Sequence, residues 1–449
     1  MKDRATVHKY ESYFKGKKIT LLGLGLLGRG VGDAQFLASC DADLIVTDLK
    51  SSDELAPSLE KLTSFSNIHY TLGEHKLEDF KDRNLIIHGP KVPLDSPFLS
   101  EAKKNNIPVT MSTALFAKLA GIPTVGITGT RGKTTTTYLI AQALLHEGRH
   151  VLLGGNIPNV STLALLKEVT PQSIAVLELD SWQLQGFHEE KISPHISVFT
   201  TFFPDHMDYY RNNMDAYVKD KAAIFLYQNE SDTLVVGEQA ADIIKTSYGR
   251  DIRSQVVIAR TGALPRSWQL KIPGEHNRYN AACALLALRT LGVEDATIQE
   301  TFKSFPGVPG RLELVREIGD IKIYNDTTAT TPEATIAGLR ALGNSTKNIV
   351  LIMGGYDKGL AMSELIAEIP KYCKEVVLLA GTGTERVRSQ LPEALVYDTL
   401  EGALGKAVAL ASAGDTVLFS PAFASFGMFN NEYDRGEQFC SMVKKLNHG

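Results

Sequence analysis

Thr128-Gly-Thr-Arg-Gly-Lys-Thr134 packs into one short stretch the groups a nucleoside triphosphate demands. The backbone N–H groups of Gly129, Thr130, Arg131 and Gly132, with the start of a following helix, would cradle phosphate oxygens. Lys133 would neutralise them, and the Thr134 hydroxyl would hold Mg²⁺. The common phosphate loop has glycine where this chain has Ile127. Downstream, Glu178 and Asp180 end a strand-like run, and residues two apart on a strand share a face. Such a pair suits a metal, or two surface lysines. His206 follows another strand-like run, and Lys221 lies fifteen residues further on. A partly buried lysine with a lowered pKa reacts with CO₂ to give a carbamate, which would make Lys221 an anionic oxygen donor beside the imidazole. Lys219 would then be a solvated charge. The segment from Gly274 opens a helix with Asn277 and Asn280 on one face, suited to the edge of a base. Near the start of the chain, Gly23, Gly25 and Gly28 precede Asp48 at dinucleotide spacing. That spacing fits NAD, a UDP-type pyrophosphate, or tight strand–helix packing alone, and Lys50 adds a cation near a base or phosphate.

These residues need sheets to hold them. Strands are expected at 18–22, 43–47, 84–88 and 107–110, then in the β-branched run from Thr124 into the phosphate loop, at 173–178, 195–200 and 233–236, and finally at 321–324, 348–353, 375–379 and 415–419. A helix is expected from Lys133 to about His146. Apolar runs alternating with helical pattern indicate α/β architecture with mostly parallel sheets covered on both faces. The chain has 449 residues, too long for one core. Its organisation reads as a Rossmann-like domain over 1–111, a central phosphate-loop domain over 112–307, and a Rossmann-like domain over 308–449, entered through the turn-rich segment 305–310. With 47 basic and 51 acidic side chains the net charge is −4, so no global field favours nucleic acid or anionic membrane. Cys40, Cys283, Cys373 and Cys440 fit neither a zinc pattern nor a disulfide framework. The charged N-terminus resembles no secretory leader, and a cytoplasmic location is expected. A regulatory nucleotide switch would need the phosphate loop but not Glu178, His206 and Lys221.

Taken together, the set resembles the Mur ligase family of ATP-dependent amide-forming enzymes. The likeness runs through Thr128 to Thr134, Gly154-Gly-Asn-Ile157, Glu178, the His206-to-Lys221 spacing, His276-Asn277, Arg311, Asp326, and Gly354-Gly355 to Asp357-Lys358. Within the family, Leu418-Phe-Ser-Pro-Ala-Phe-Ala-Ser425, Met428-Phe-Asn430 and Asp434-Arg-Gly-Glu-Gln-Phe439 are most similar to members that add D-glutamate. The resemblance implies ATP on Gly129 to Thr135, that is Gly129, Thr130, Arg131, Gly132, Lys133, Thr134 and Thr135, with Asn277, Asn280, Arg311 and Asp326 at its adenosine end. It implies two Mg²⁺ sites, one at Thr134 and Glu178 and one at His206 and carbamylated Lys221. UDP-MurNAc-L-Ala would lie on Gly25, Leu26, Leu27, Asp48, Lys50 and Asn156, and D-glutamate on Thr330, Lys358 and Ser425. A monomer with no nucleic-acid or membrane partner is expected. The chain departs from the family pattern at Asp180, Gly310, Thr328 and Glu432, the last two in regions that handle substrate carboxylates.

Overall fold

The structure is a computed structural model that describes residues 10–26, 28–90 and 92–446. The N-terminal strands are β1 (Lys18–Leu22), β2 (Asp43–Asp48), β3 (Ile68–Leu72), β4 (Leu85–His88) and β5 (Val109–Thr110). They lie in the order β3-β2-β1-β4-β5, all parallel. Next come β6 (Thr124–Thr128), β7 (His150–Gly155), β8 (Ser173–Glu178), β9 (Ile196–Phe199), β10 (Thr233–Gly237) and β11 (Gln255–Ala259). Their order is β11-β10-β9-β6-β8-β7, again all parallel. The last six are β12 (Glu313–Ile318), β13 (Ile321–Asn325), β14 (Ile349–Gly354), β15 (Cys373–Leu379), β16 (Leu395–Tyr397) and β17 (Thr416–Phe419). They form the sheet β12-β13-β17-β14-β15-β16, in which only β12 runs antiparallel.

The expected class, three α/β domains with mostly parallel sheets, is therefore present. Two compact units contain them. One comprises the chain to Arg266 together with Tyr279–Thr301, and holds the first two sheets; the other comprises Ser267–Arg278 and the chain from Phe302, and holds the third. In the first unit a continuous core runs from Phe14 and Ile19 through Leu115, Leu177 and Phe199 to Ile244. In the second unit, alternate residues of β14 feed opposite faces. Ile349, Leu351 and Met353 join the core under the helices Pro332–Leu342 and Ser363–Tyr372, while Val350 and Ile352 join the core under Leu400–Leu410 and Glu432–Lys445. Both faces are covered, which is why these strands read as unbroken apolar runs.

One consequence matters for chemistry. In each sheet, strands that neighbour in space diverge in sequence, and ligands of parallel α/β folds collect at the carboxyl ends there. Those ends are the loop after β1 between β2 and β4, the loop after β6 between β8 and β9, and the loop after β17 between β13 and β14.

Candidate active site

The loop after β6 is bent by two residues that only glycine tolerates. Gly129 has φ +139° and Gly132 has φ +86°. An added Cβ would lie 2.1 Å from Thr200 Oγ1 at Gly129, and 2.2 Å from Asn280 Oδ1 at Gly132. The helix Lys133–His146 starts directly afterwards, and its first internal bond is Thr136 N–H to Gly132 O. The N–H groups of residues 133–135 therefore have no partner within the helix, which makes this end attractive to an anion. Thr130 and Arg131 do not offer their amides as expected. Thr130 N–H donates to Thr201 O at 2.7 Å, and Arg131 N–H to Thr201 Oγ1 at 2.9 Å. Their role here is to fix the loop to the end of β9. Lys133 Nζ folds back onto the loop, donating to Gly129 O at 2.9 Å and Thr130 O at 3.2 Å. Burial holds its pKa below the ordinary lysine value, and the charge of Glu178 opposes that shift.

Glu178 closes β8 and is 3 % exposed. Asn156 Nδ2 donates to its Oε1 at 3.3 Å, while Oε2 is buried with no hydrogen-bond partner among the described residues. An orphaned carboxylate oxygen of this kind is what a cation would satisfy. Asp180 does not share its face: β8 stops at Glu178, and Asp180 caps the helix Ser181–Glu190. Its Oδ1 accepts Gln183 N–H at 2.8 Å, with Gln183 Oε1 reaching back to Asp180 N–H. The capping box engages one oxygen of the carboxylate expected to pair with Glu178.

Lys221 is 1 % exposed on the helix Met214–Ala222. Its ammonium donates to Thr128 Oγ1 at 3.3 Å and Gly129 O at 3.2 Å, and lies 4.9 Å above the Tyr217 ring. Burial, then the positive charge of Lys133, hold its pKa well below the ordinary value. The amine is thus inclined to the neutral, CO₂-reactive form. Lys219, by contrast, lies on the exposed side of the same helix. His206 adopts a left-handed backbone with φ +55° and rests on Trp182 with ring centroids 4.4 Å apart. Burial lowers its pKa against the pull of Asp205, so the imidazole is neutral at pH 7, the form that binds a metal. Among the described residues no cluster of three or more His, Cys, Asp or Glu side chains is arranged around a metal. Glu178 Oε2 is the oxygen of this group left without a partner among the described residues, and so the one open to a divalent cation. A second fits only if Lys221 carries an added oxygen donor.

At the N-terminal loop, Asp48 Oδ2 accepts Leu24 N–H at 2.9 Å and Gly25 N–H at 3.0 Å, and Oδ1 accepts Lys50 N–H at 2.9 Å. Asp48 therefore organises the glycine turn. Leu26 is 53 % exposed, Lys50 faces Glu54 at 3.7 Å, and Leu27 lies outside the described residues. Asn156 N–H donates to Glu178 O at 2.7 Å. Asn280 abuts the phosphate loop at Gly132.

In the second unit Asp326 follows β13, accepting Leu312 N–H at 3.1 Å and the Ser420 hydroxyl at 2.8 Å. Burial pushes its carboxyl up to about 7, against the nearby Arg311 charge. Asn277 Nδ2 donates to Pro273 O at 2.7 Å. The loops after β13, β14 and β17 are stitched together. Lys358 Nζ donates to Thr330 Oγ1 at 3.2 Å, Tyr356 and Ala424 exchange backbone bonds, and Ala422 N–H donates to Ala329 O at 2.9 Å. Ser425 is buried on the same rim.

Three family models match in sequence: a Mur ligase MurD-like N-terminal domain over residues 17–111, a Mur ligase middle domain over 127–263, and a Mur ligase glutamate ligase domain over 310–423. A UDP-N-acetylmuramoylalanine–D-glutamate ligase of Roseiflexus sp. is 36 % identical, with 96 % of this chain and 99 % of that protein covered. The chain belongs to the Mur ligase family. A protein of the same name from Borreliella afzelii is 33 % identical over 96 % of this chain and 98 % of its own. Among solved structures, the UDP-N-acetylmuramate-alanine ligase of Thermotoga maritima matches with TM-score 0.62 and 20 % identity, covering 95 % of this chain and 99 % of that one. The MurF ligase of the same organism, solved with ADP, gives 0.58 at 18 % identity, covering 89 % and 94 %. Both show the Mur ligase fold. Among the described residues no helix is long and apolar enough to cross a membrane.

Several residues that shape this Mur ligase site escape sequence reasoning. Thr200 and Thr201 hold the phosphate loop, Asp205 holds Arg131 Nη1 at 2.7 Å, and Tyr217 lies under Lys221. Their only sequence signal is position just past β9 or one helical turn before Lys221. Arg435 is fully buried, its guanidinium donating to Thr327 Oγ1 at 3.1 Å, Thr327 O at 2.8 Å and Phe423 O at 3.3 Å. It binds together the two loops that carry Thr330 and Ser425.

Proposed function

We propose that the chain is an ATP-dependent ligase that joins D-glutamate to the L-alanyl carboxylate of UDP-MurNAc-L-Ala, releasing ADP and phosphate, in peptidoglycan precursor synthesis. What carries this reading is the likeness, over 96 % of the chain, to enzymes named for that reaction. The site chemistry supports it. An acyl phosphate forms when the substrate carboxylate attacks the terminal phosphoryl of ATP; the glutamate amine then adds, and phosphate leaves from the tetrahedral intermediate. Each step is served by positioning and charge neutralisation. Lys133 would turn from the loop carbonyls to the transferred phosphoryl, and Gly129, Gly132, Thr134 and Thr135 would hold the phosphates, with Thr130 and Arg131 fixing the loop to Thr201. Asn277, Asn280, Arg311 and Asp326 would hold the adenosine end.

Thr134 and Glu178 would hold one magnesium ion, and His206 with carbamylated Lys221 a second, and the metal would supply charge neutralisation on the phosphates. Gly25, Leu26, Leu27, Asp48, Lys50 and Asn156 would take the nucleotide-sugar. Thr330, Lys358 and Ser425 would take the amino acid. Domain limits at 111 and 307, a monomeric state and a cytoplasmic location, with no nucleic-acid or membrane partner, belong to the same proposal.

A second reading keeps the reaction and changes the amine. Thr328 donates its hydroxyl to Gly310 O at 2.9 Å, and Glu432 opens the helix Glu432–Lys445, so neither position offers a cation to a second carboxylate. The test is ADP release with UDP-MurNAc-L-Ala and a panel of amino acids of both hands. D-Glutamate should drive it; release with another amino acid and none with D-glutamate overturns the specificity.

A further inference from the structure

Arg29 has no task in the mechanism above, yet it stands between the nucleotide-sugar loop and the metal carboxylate. It opens the helix Arg29–Ser39, capped by Gly28 at φ +78°. Its one hydrogen bond among the described residues runs from Nη1 to Asn156 Oδ1 at 2.9 Å, and no carboxylate there lies within ion-pair distance. Asn156 passes the contact on, through Nδ2 to Glu178 Oε1 at 3.3 Å. A guanidinium only donates and a carboxylate only accepts, so a primary amide placed between them satisfies both in a single orientation. Turned over, it would set oxygen against carboxylate and N–H against guanidinium.

The backbone braces this line. Asn156 N–H is bonded to Glu178 O at 2.7 Å. A Cβ on Gly155 would fall 2.0 Å from that carbonyl, and one on Gly32 would fall 2.6 Å from Ser161 Cβ. The helix of Arg29 is thus pressed onto the segment that carries Asn156, and neither can drift from β8. The line ends with Oε1 engaged and Oε2 unbonded.

We propose that Arg29 is a positioning residue: through the Asn156 amide it fixes the Glu178 carboxylate for its metal, and so joins occupancy of the nucleotide-sugar loop to metal binding. The inference rests on the function proposed above. The remaining guanidinium N–H groups, at the head of a helix after a glycine loop, are donors of the kind that a pyrophosphate would accept from.

The test compares the wild type with Arg29→Met, which keeps the aliphatic stem, Arg29→Lys, Asn156→Ala and the Arg29→Met/Asn156→Ala double variant. Mn²⁺ binding in the presence of ADP is followed by electron paramagnetic resonance, and UDP-MurNAc-L-Ala binding by calorimetry. Arg29→Met should weaken Mn²⁺ about fivefold, the worth of one hydrogen bond, and the nucleotide-sugar by a similar factor. Arg29→Lys should fall between. In the Asn156→Ala background, Arg29→Met should leave Mn²⁺ binding unchanged, because the line is already cut. Unchanged Mn²⁺ binding in folded Arg29→Met and Arg29→Lys overturns the proposal, as do additive effects in the double variant. A lowered melting temperature with both dissociation constants intact assigns Arg29 a structural role only and also overturns it. If wild type releases no ADP with its substrates while the Mn²⁺ pattern holds, the function fails and the relay stands.

Discussion

The loops after β1 and β6 share a construction but differ in purpose. Each follows a central parallel strand, turns on positive-φ glycines and feeds a helix capped by glycine. Each has two amides tied to the end of a neighbouring strand. After β1 the tie is the Asp48 carboxylate; after β6 it is the carbonyl and hydroxyl of Thr201. A carboxylate brings a negative charge to the first turn, and a neutral threonine brings none to the second. The first helix position then decides the rest. Lys133 points its charge into its own loop, whereas Arg29 sends its charge across to Asn156. The comparison teaches that a glycine turn supplies only a shape, and that the side chain holding the turn sets which anion can enter.

The strongest way to break this contrast is at the lysine. Lys133→Ala should reduce kcat by about a thousandfold or more, since the transferred charge loses its counter-ion; steady-state ADP release measures it, and retention of more than a tenth of the rate would put the cation elsewhere. Next comes Lys221→Ala, expected to lose about a hundredfold and to recover part of that with millimolar short carboxylic acids. Full activity of Lys221→Ala, with loss in Lys219→Ala, would transfer the role. At the other loop, Asp48→Ala leaves the N–H groups of Leu24, Gly25 and Lys50 without their acceptor. It should raise KM for UDP-MurNAc-L-Ala about tenfold with kcat and KM for ATP unchanged; a fall in kcat would mean the two loops are not separable.

The smallest effect is on stability. Asp33, on the helix after β1, is pushed up to about 6 by burial, against the hydrogen bond from the Ser161 hydroxyl. The folded protein then holds a proton that the unfolded chain releases near pH 4, so stability falls as pH rises from about 4 to about 6 and is flat above. Asp33→Asn should flatten that segment of a urea-unfolding series; the helix after β6 has no acid and offers no counterpart.

Central strands were legible and edges were not. The runs 18–22 and 173–178 coincide with β1 and β8, and the helix after the phosphate loop ends at His146 as its pattern indicates. The strands without a sequence signal, β3, β7, β11, β12 and β16, all lie at sheet edges. A half-solvated strand such as Gln255–Ala259 or Glu313–Ile318 mixes polar and apolar residues and loses the unbroken run that marks double burial. The expected edge strand 107–110 shrank to Val109–Thr110, since Pro108 has no N–H to give a ladder. Lys133, Glu178 and Lys221 were legible because motif spacing places them at strand ends. Asp180 misled because strand periodicity was carried two residues past the point where a helix cap takes over. Thr201 was hidden, and Arg435 was read only as part of the segment 434–439 with no role, because their work is done by contacts across long sequence separations.

Arg435 has a bearing on how the molecule is made. Its bonds to Thr327 span 108 residues, and the loop it steadies on the other side includes Phe423. A nascent chain therefore completes β13 and the segment from Asp326 to Thr330 well before the guanidinium that fixes them emerges. The loops after β13 and β17 therefore gain their shared anchor late in synthesis, after the segment 128–134 has emerged, and a translation pause between Thr330 and Arg435 would leave the loop after β13 without its guanidinium.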